Sequence, residues 1–188
     1  MQNRIRVLVL IVLGIGFPAF ADSGLVISGN AGFDVIGLGW AAGAGVGYEV
    51  SNIEAGLVFM FSGGTNDYDE SDYKGTYSYS FSLVGVRASY MFAGTFANKS
   101  FFPYVGTGFF FMGYSYKDEY TRKPSGPSGV DEFDLSASGA LAILGLGYRV
   151  AEKFDIRLEV PALIFFGEYG RTSIAVPILL SGVYHLAL

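Results

Sequence analysis

Val46-Gly47-Tyr48-Glu49-Val50 decides how the rest of the chain is read, because it returns three more times in variant form. The copies are Ala88-Ser89-Tyr90-Met91-Phe92, Leu146-Gly147-Tyr148-Arg149-Val150 and, more loosely, Gly182-Val183-Tyr184-His185-Leu186. Each Tyr sits between small or polar neighbours with mostly apolar residues two positions away, the period-two signature of a strand with two unlike faces. Four such strands make half of an eight-stranded sheet.

Outward from these strands, the composition bounds the environment. Arg4 and Arg6, the apolar run Val7 to Phe17 and the small-residue site Ala19-Phe20-Ala21 read as a secretory signal peptide over residues 1–21. Of the 188 residues, 167 then remain, and 22–188 is expected to form one domain. Without Arg4 and Arg6, ten basic residues face 17 acidic ones, a balance that excludes nucleic acid as partner. There is no cysteine and one histidine, which removes the usual zinc ligand sets. Mean hydropathy is high at +0.41, yet no stretch after Ala21 is a long apolar run. Only helices and closed barrels satisfy their backbone in lipid. The expected fold is therefore all-β, an eight-stranded antiparallel up-and-down transmembrane β-barrel. Tyr48, Tyr90, Tyr148 and Tyr184 would form an aromatic girdle at one membrane edge.

The alternation can be followed strand by strand. Leu25, Ile27, Ala31 and Phe33 oppose Ser28, Asn30, Gly32 and Asp34, and Val46, Tyr48 and Val50 oppose a row of glycines that suits a narrow lumen. Ser51-Asn52 is a tight turn. Gly63 to Gly75 reads as a long polar loop, and its carboxylates Asp67, Asp69, Glu70 and Asp72 lack the full EF-hand spacing, so a solvated loop is expected. The next strand changes phase between Phe81 and Val84, which a β-bulge near Ser82 or Leu83 would reconcile. In the fifth strand Val105, Thr107, Phe109 and Phe111 are placed outward. Lys117 to Asp131 reads as the longest loop, with a Pro/Gly-rich tip. Short turns on the tyrosine side and long loops opposite are the asymmetry of outer-membrane barrels.

With those segments in order, the chain resembles the small eight-stranded outer-membrane proteins of the OmpA-barrel, OmpX and OmpW group. The resemblance spans the whole chain after the signal peptide. It rests on that leader, on Gly145-Leu146-Gly147-Tyr148-Arg149-Val150 running through a short turn into Phe154-Asp155-Ile156-Arg157-Leu158-Glu159, on Pro103-Tyr104-Val105-Gly106-Thr107-Gly108, and on an aromatic-containing final strand. It departs from the group at Leu188, where an aromatic is usual. The resemblance implies a bacterial outer-membrane protein exported by the general secretory route, with outer-membrane lipid and the barrel-assembly machinery as partners.

The same alternation directs Glu49, Glu54, Arg87, Arg149, Asp155, Arg157, Glu159 and His185 into the lumen near the tyrosine end. Charges in a narrow interior persist when paired. They are expected to plug the barrel, as in the OmpA-type barrel, or else to gate a constriction. Further out the inward set turns apolar, with Val58, Met60, Leu163, Phe165 and Leu179, which is either barrel core or an OmpW-like passage for small apolar molecules. Pro161 and Pro177 each interrupt a ladder. Ser181 shares a face with His185, but with no Gly-x-Ser-x-Gly element the chain is not read as an enzyme. No cofactor or metal is expected. The expected role is structural or surface interaction by a monomer, with the loops 63–75 and 117–131 as possible ligand contacts. The alternative is a narrow channel or binding barrel for small molecules.

Overall fold

A computed structural model describes residues 23–34, 39–92, 100–124, 126–166 and 172–187, and every regular element in them is a β-strand. In order these are β1 (Ser23–Asp34), β2 (Gly39–Val50), β3 (Ile53–Asp69), β4 (Tyr73–Met91), β5 (Phe101–Arg122), β6 (Ser128–Ala151), β7 (Phe154–Phe166), β8 (Thr172–Ala175) and β9 (Pro177–Ala187). β1 through β7 pair antiparallel in sequence order, and β7 pairs with both β8 and β9. β9 pairs with β1, which closes the ring. β8 and β9 are two halves of one stave interrupted at Val176, so the barrel has eight staves. The expected leader 1–21 and residues 35–38, 93–99, 125, 167–171 and 188 lie outside the described residues.

The interruption has a local cause. Glu159↔Leu179 and Leu163↔Ala175 flank it in one register, which sets Pro161 opposite Pro177. Neither proline has an N–H to give, so that rung of the ladder loses both its donors.

Alternation persists through the walls. Leu144 is 65% exposed on the lipid side, whereas Leu163, on the lumen side, is 0% exposed. Val58, Met60, Leu163 and Leu179 are buried among Phe81, Leu83, Phe110, Met112, Leu141 and Ile143, with Phe165 packed against them. Phe165 meets Phe110 edge to face at 5.5 Å. Val105, Thr107, Phe109 and Phe111 face outward. So do Tyr90, Tyr148 and Tyr184, with Tyr48 half-buried, all at the short-turn end; Phe101 joins Tyr148 at 4.6 Å.

Three expectations are corrected. No bulge interrupts β4: its pairing with β3 and β5 is continuous, and Tyr79, Phe81 and Leu83 are all buried on the lumen side. The phase never changes, because the outer lumen is itself aromatic. A bulge lies instead at Arg149/Ala151, beside the Glu152-Lys153 turn. The two long loops are mostly strand: β3 runs to Asp69 and β4 starts at Tyr73, while β5 runs to Arg122 and β6 starts at Ser128. Tyr on the lumen-side positions alternates with Thr, Ser and charged residues on the other face, so the period of two outlasts the lipid-facing apolar row.

β1, β2 and β7 have 12, 12 and 13 residues, close to what a tilted membrane strand needs, but β3 to β6 have 17, 19, 22 and 24. The excess all lies at the end away from the short turns, so these four strands stand beyond the membrane as a fin. Its two hairpin tips are tied by Lys123, which donates to the carboxylate of Asp69 and, at 2.8 Å, to the carbonyl of Glu70. Lys123 beside Asp69 holds that carboxyl below its ordinary value. The tie is thus complete above the usual carboxylate range and lost as pH falls through the lowered value. Faster proteolysis of the tips below about pH 4 than at pH 7, with a pH-indifferent protease, is the expected result.

The two-residue turn Ser51-Asn52 places Ser51 at φ 56°. A side chain there costs on the order of 1 kcal/mol. Ser51→Gly is expected to raise the urea midpoint of the lipid-refolded barrel slightly, by about 0.5 kcal/mol in stability once the extra chain entropy of glycine is subtracted.

Candidate functional site

Asp155, Arg157 and Glu159 lie two apart on β7, so the strand period alone turns all three inward, and each is buried. Around them close Glu49 from β2, Glu54 from β3, Arg87 from β4, Arg149 from β6 and His185 from β9. The eight form one continuous chain. His185 joins Glu49 through Nδ1 and Asp155 through Nε2, each at 2.8 Å. Arg149 Nε reaches Asp155 at 2.8 Å, and Arg157 reaches Asp155 at 3.3 Å and Glu54 at 2.6 Å. Arg87 spans Glu54 at 2.8 Å and Glu159 at 3.3 Å. With a carboxylate on each ring nitrogen, the doubly protonated imidazole is the form that donates to both. Four carboxylates then meet four cations, and the waist is neutral.

Two residues that the sequence reading did not assign to the site complete it. Tyr104 on β5, 1% exposed, donates its hydroxyl to Glu159 at 2.8 Å. Phe102, on the same face, lies under Arg157 at 5.7 Å and Arg149 at 5.9 Å, and Arg157 also sits 5.5 Å from the Tyr104 ring. Guanidinium groups held over aromatic faces gain attraction that grows with desolvation. The signal for both was present: outward odd positions in β5 leave Phe102, Tyr104 and Phe110 facing in.

The rings fit because the neighbouring strand has no side chain beneath them. Phe102 pairs with Gly147, Tyr104 with Gly145 and Phe110 with Gly139. A Cβ on those glycines would stand 2.2 Å, 2.1 Å and 2.4 Å from the respective rings. With Tyr104 counted, seven of the eight staves contribute polar contacts to the waist. Near β1, a crevice lined by Val26, Ser28, Gly45, Gly47, Glu54 and Arg87 has no room for a water molecule.

Ser181 and His185 are not joined. The ring nitrogens of His185 are taken by Glu49 and Asp155, and Ser181 Oγ is buried with no hydrogen-bond partner among the described residues. A nucleophile and its base need that contact. The described residues hold no cluster of three or more His, Cys, Asp or Glu side chains suited to a metal ion. In the tip, Asp67 accepts from Thr76 at 2.6 Å and Asp69 is engaged by Lys123.

Residues 7–176 match the protein family described as outer membrane protein beta-barrel domain. Among solved structures, the chain is similar to a major outer membrane protein from Thermus thermophilus, at 12% identity over 87% of this chain and 99% of that one, with a TM-score of 0.56. It is also similar to Neisserial surface protein A, at 14% identity over 88% and 96% of the two chains, with a TM-score of 0.52. The N-terminal β-barrel domain of Pseudomonas aeruginosa OprF matches at 17% identity over 87% and 97%, with a TM-score of 0.49. At these identities the first two likenesses speak for the fold alone. No curated protein matches the chain.

Proposed function

Since the chain belongs to the outer membrane protein β-barrel family and so sits in the outer membrane, we propose that it is a closed barrel with a structural or surface-interaction role, its lumen plugged at the waist. The observation that carries this reading is the unbroken run of ion pairs from Glu49 to Glu159, capped by Tyr104, with no water-sized gap beside Arg87. Eight staves leave an interior just wide enough for side chains, and here the side chains are mutually neutralising. Above the waist, Leu163 and Phe110 are fully buried, which supports a packed core over an apolar conduit. The export route through a cleaved leader at 1–21, insertion by the barrel-assembly machinery and a monomeric state belong to the same proposal.

Planar-bilayer recording of the refolded mature chain tests it. The parent is expected to show no discrete openings. Glu54→Ser with Arg87→Ser removes one anion and one cation together, and this pair of changes is expected to admit ions through the waist. Discrete openings in the parent would overturn the plug and favour a narrow channel.

A further inference from the structure

Seven of the 13 tyrosines stand on one face of the fin, the face that continues the lumen side of β3, β4 and β5. The opposite face carries Ser, Thr and charged residues such as Thr65, Thr76, Lys117 and Glu119. Unlike a hairpin that is polar on both faces, this sheet is past the lipid yet keeps one aromatic side. Tyr68, Tyr77, Tyr116 and Phe133 form a row across all four strands, with successive centroids 6.4, 6.1 and 5.0 Å apart. Asp118 and Asp131 face each other directly across β5 and β6 on that side, and Asp118 accepts from the Tyr68 hydroxyl at 3.1 Å. Like charges directly opposed across a ladder destabilise it. Over residues 64–79 and 113–137 the fin carries nine carboxylates against four basic side chains.

We propose that the tyrosine face of the fin docks an arginine-rich polypeptide segment, its guanidinium groups lying against the ring row and bridging Asp118 and Asp131. This rests on the surface-interaction reading above and names the partner chemistry. The charge balance repels polyanionic glycans and nucleic acid. A neutral glycan would use the rings but leave the carboxylate pair opposed. Arginine suits the site better than lysine because its planar fork stacks on aromatic faces and spans two carboxylates at once.

The test uses the mature chain refolded in phosphatidylcholine nanodiscs, titrated with labelled deca-arginine, deca-lysine and maltoheptaose. Deca-arginine is expected to bind about fivefold or more tighter than deca-lysine. Tyr77→Ser with Tyr116→Ser should weaken it by about tenfold or more. Asp118→Asn with Asp131→Asn should weaken binding while raising the urea midpoint, a pair of opposite signs that misfolding does not produce. On the other face, Asp67→Asn with Glu119→Gln should change affinity less than about twofold. Equal affinity for the two peptides, or equal loss from the two faces, would mean diffuse charge attraction and overturn the proposal. So would maltoheptaose binding in place of the peptide. The chain lacks cysteine, so Ser128→Cys labelled on intact cells by an impermeant maleimide reads the surface location separately. Labelling without peptide binding sinks the docking alone, and no labelling sinks the surface reading on which it rests.

Discussion

Arg157→Met is expected to cost the lipid-refolded barrel about 3–5 kcal/mol, read as a drop in urea midpoint at unchanged slope. Arg157 is 0% exposed and joins Glu54 on β3 to Asp155 on β7, with two aromatic rings against its guanidinium plane. Its removal leaves an uncompensated negative charge in a dry interior, which is what makes breaking a buried pair expensive. Each carboxylate retains another partner, Arg87 for Glu54 and Arg149 and His185 for Asp155, so the lower half of that range is the expectation. The decisive comparison is Arg157→Met combined with Glu54→Gln. Removing the orphaned charge should recover more than half of the loss, since a buried pair replaced as a unit is often nearly neutral. If the double variant is as unstable as the sum of the two single ones, the cluster is not acting as a charge-balanced unit.

Gly145→Ala is expected to be nearly as damaging although it adds one methyl group. The new Cβ would lie 2.1 Å from Tyr104 Cζ and 2.5 Å from its hydroxyl oxygen. Tyr104 has nowhere easy to go, with Arg157 over its ring and Glu159 holding its hydroxyl at 2.8 Å. Overpacking costs about 1–3 kcal/mol. Losing a hydrogen bond to a charged acceptor adds about 1.5–3 kcal/mol. The contrast is Gly29→Ala, where nothing lies within 4 Å of the added Cβ and a change within about 0.5 kcal/mol is expected. Tyr104→Leu should relieve the clash and partly rescue Gly145→Ala. Equal tolerance of alanine at Gly145 and Gly29 would show that the aromatic-on-glycine contact is slack.

The site was legible in the sequence as a set of residues, not as a set of partners. All eight charged residues could be assigned to the lumen from strand period, because a side chain's face depends on whether its position is odd or even. Tyr104 and Phe102 escaped because three consecutive phenylalanines, Phe109 to Phe111, blur the facing of β5. The outer ends of β3 to β6 read as loops in the sequence for a related reason. Polar composition suggests irregular chain, whereas Tyr-x-Tyr-x spacing in β4 and β5 keeps a strand going once its other face is free to meet water.

Sequence alone determined the fold class, the membrane and the face of nearly every side chain, because a chain that is apolar overall with a period of two and no membrane helix has one way to satisfy its backbone in lipid. Only the tertiary structure decided which charge meets which. Arg157 and Glu54 are 103 residues apart, and their contact at 2.6 Å depends on the stagger between staves that never pair with each other. Period specifies inward or outward, but the height at which inward groups meet across a lumen is set by the tilt and shear of the closed sheet, a property of all the strands together.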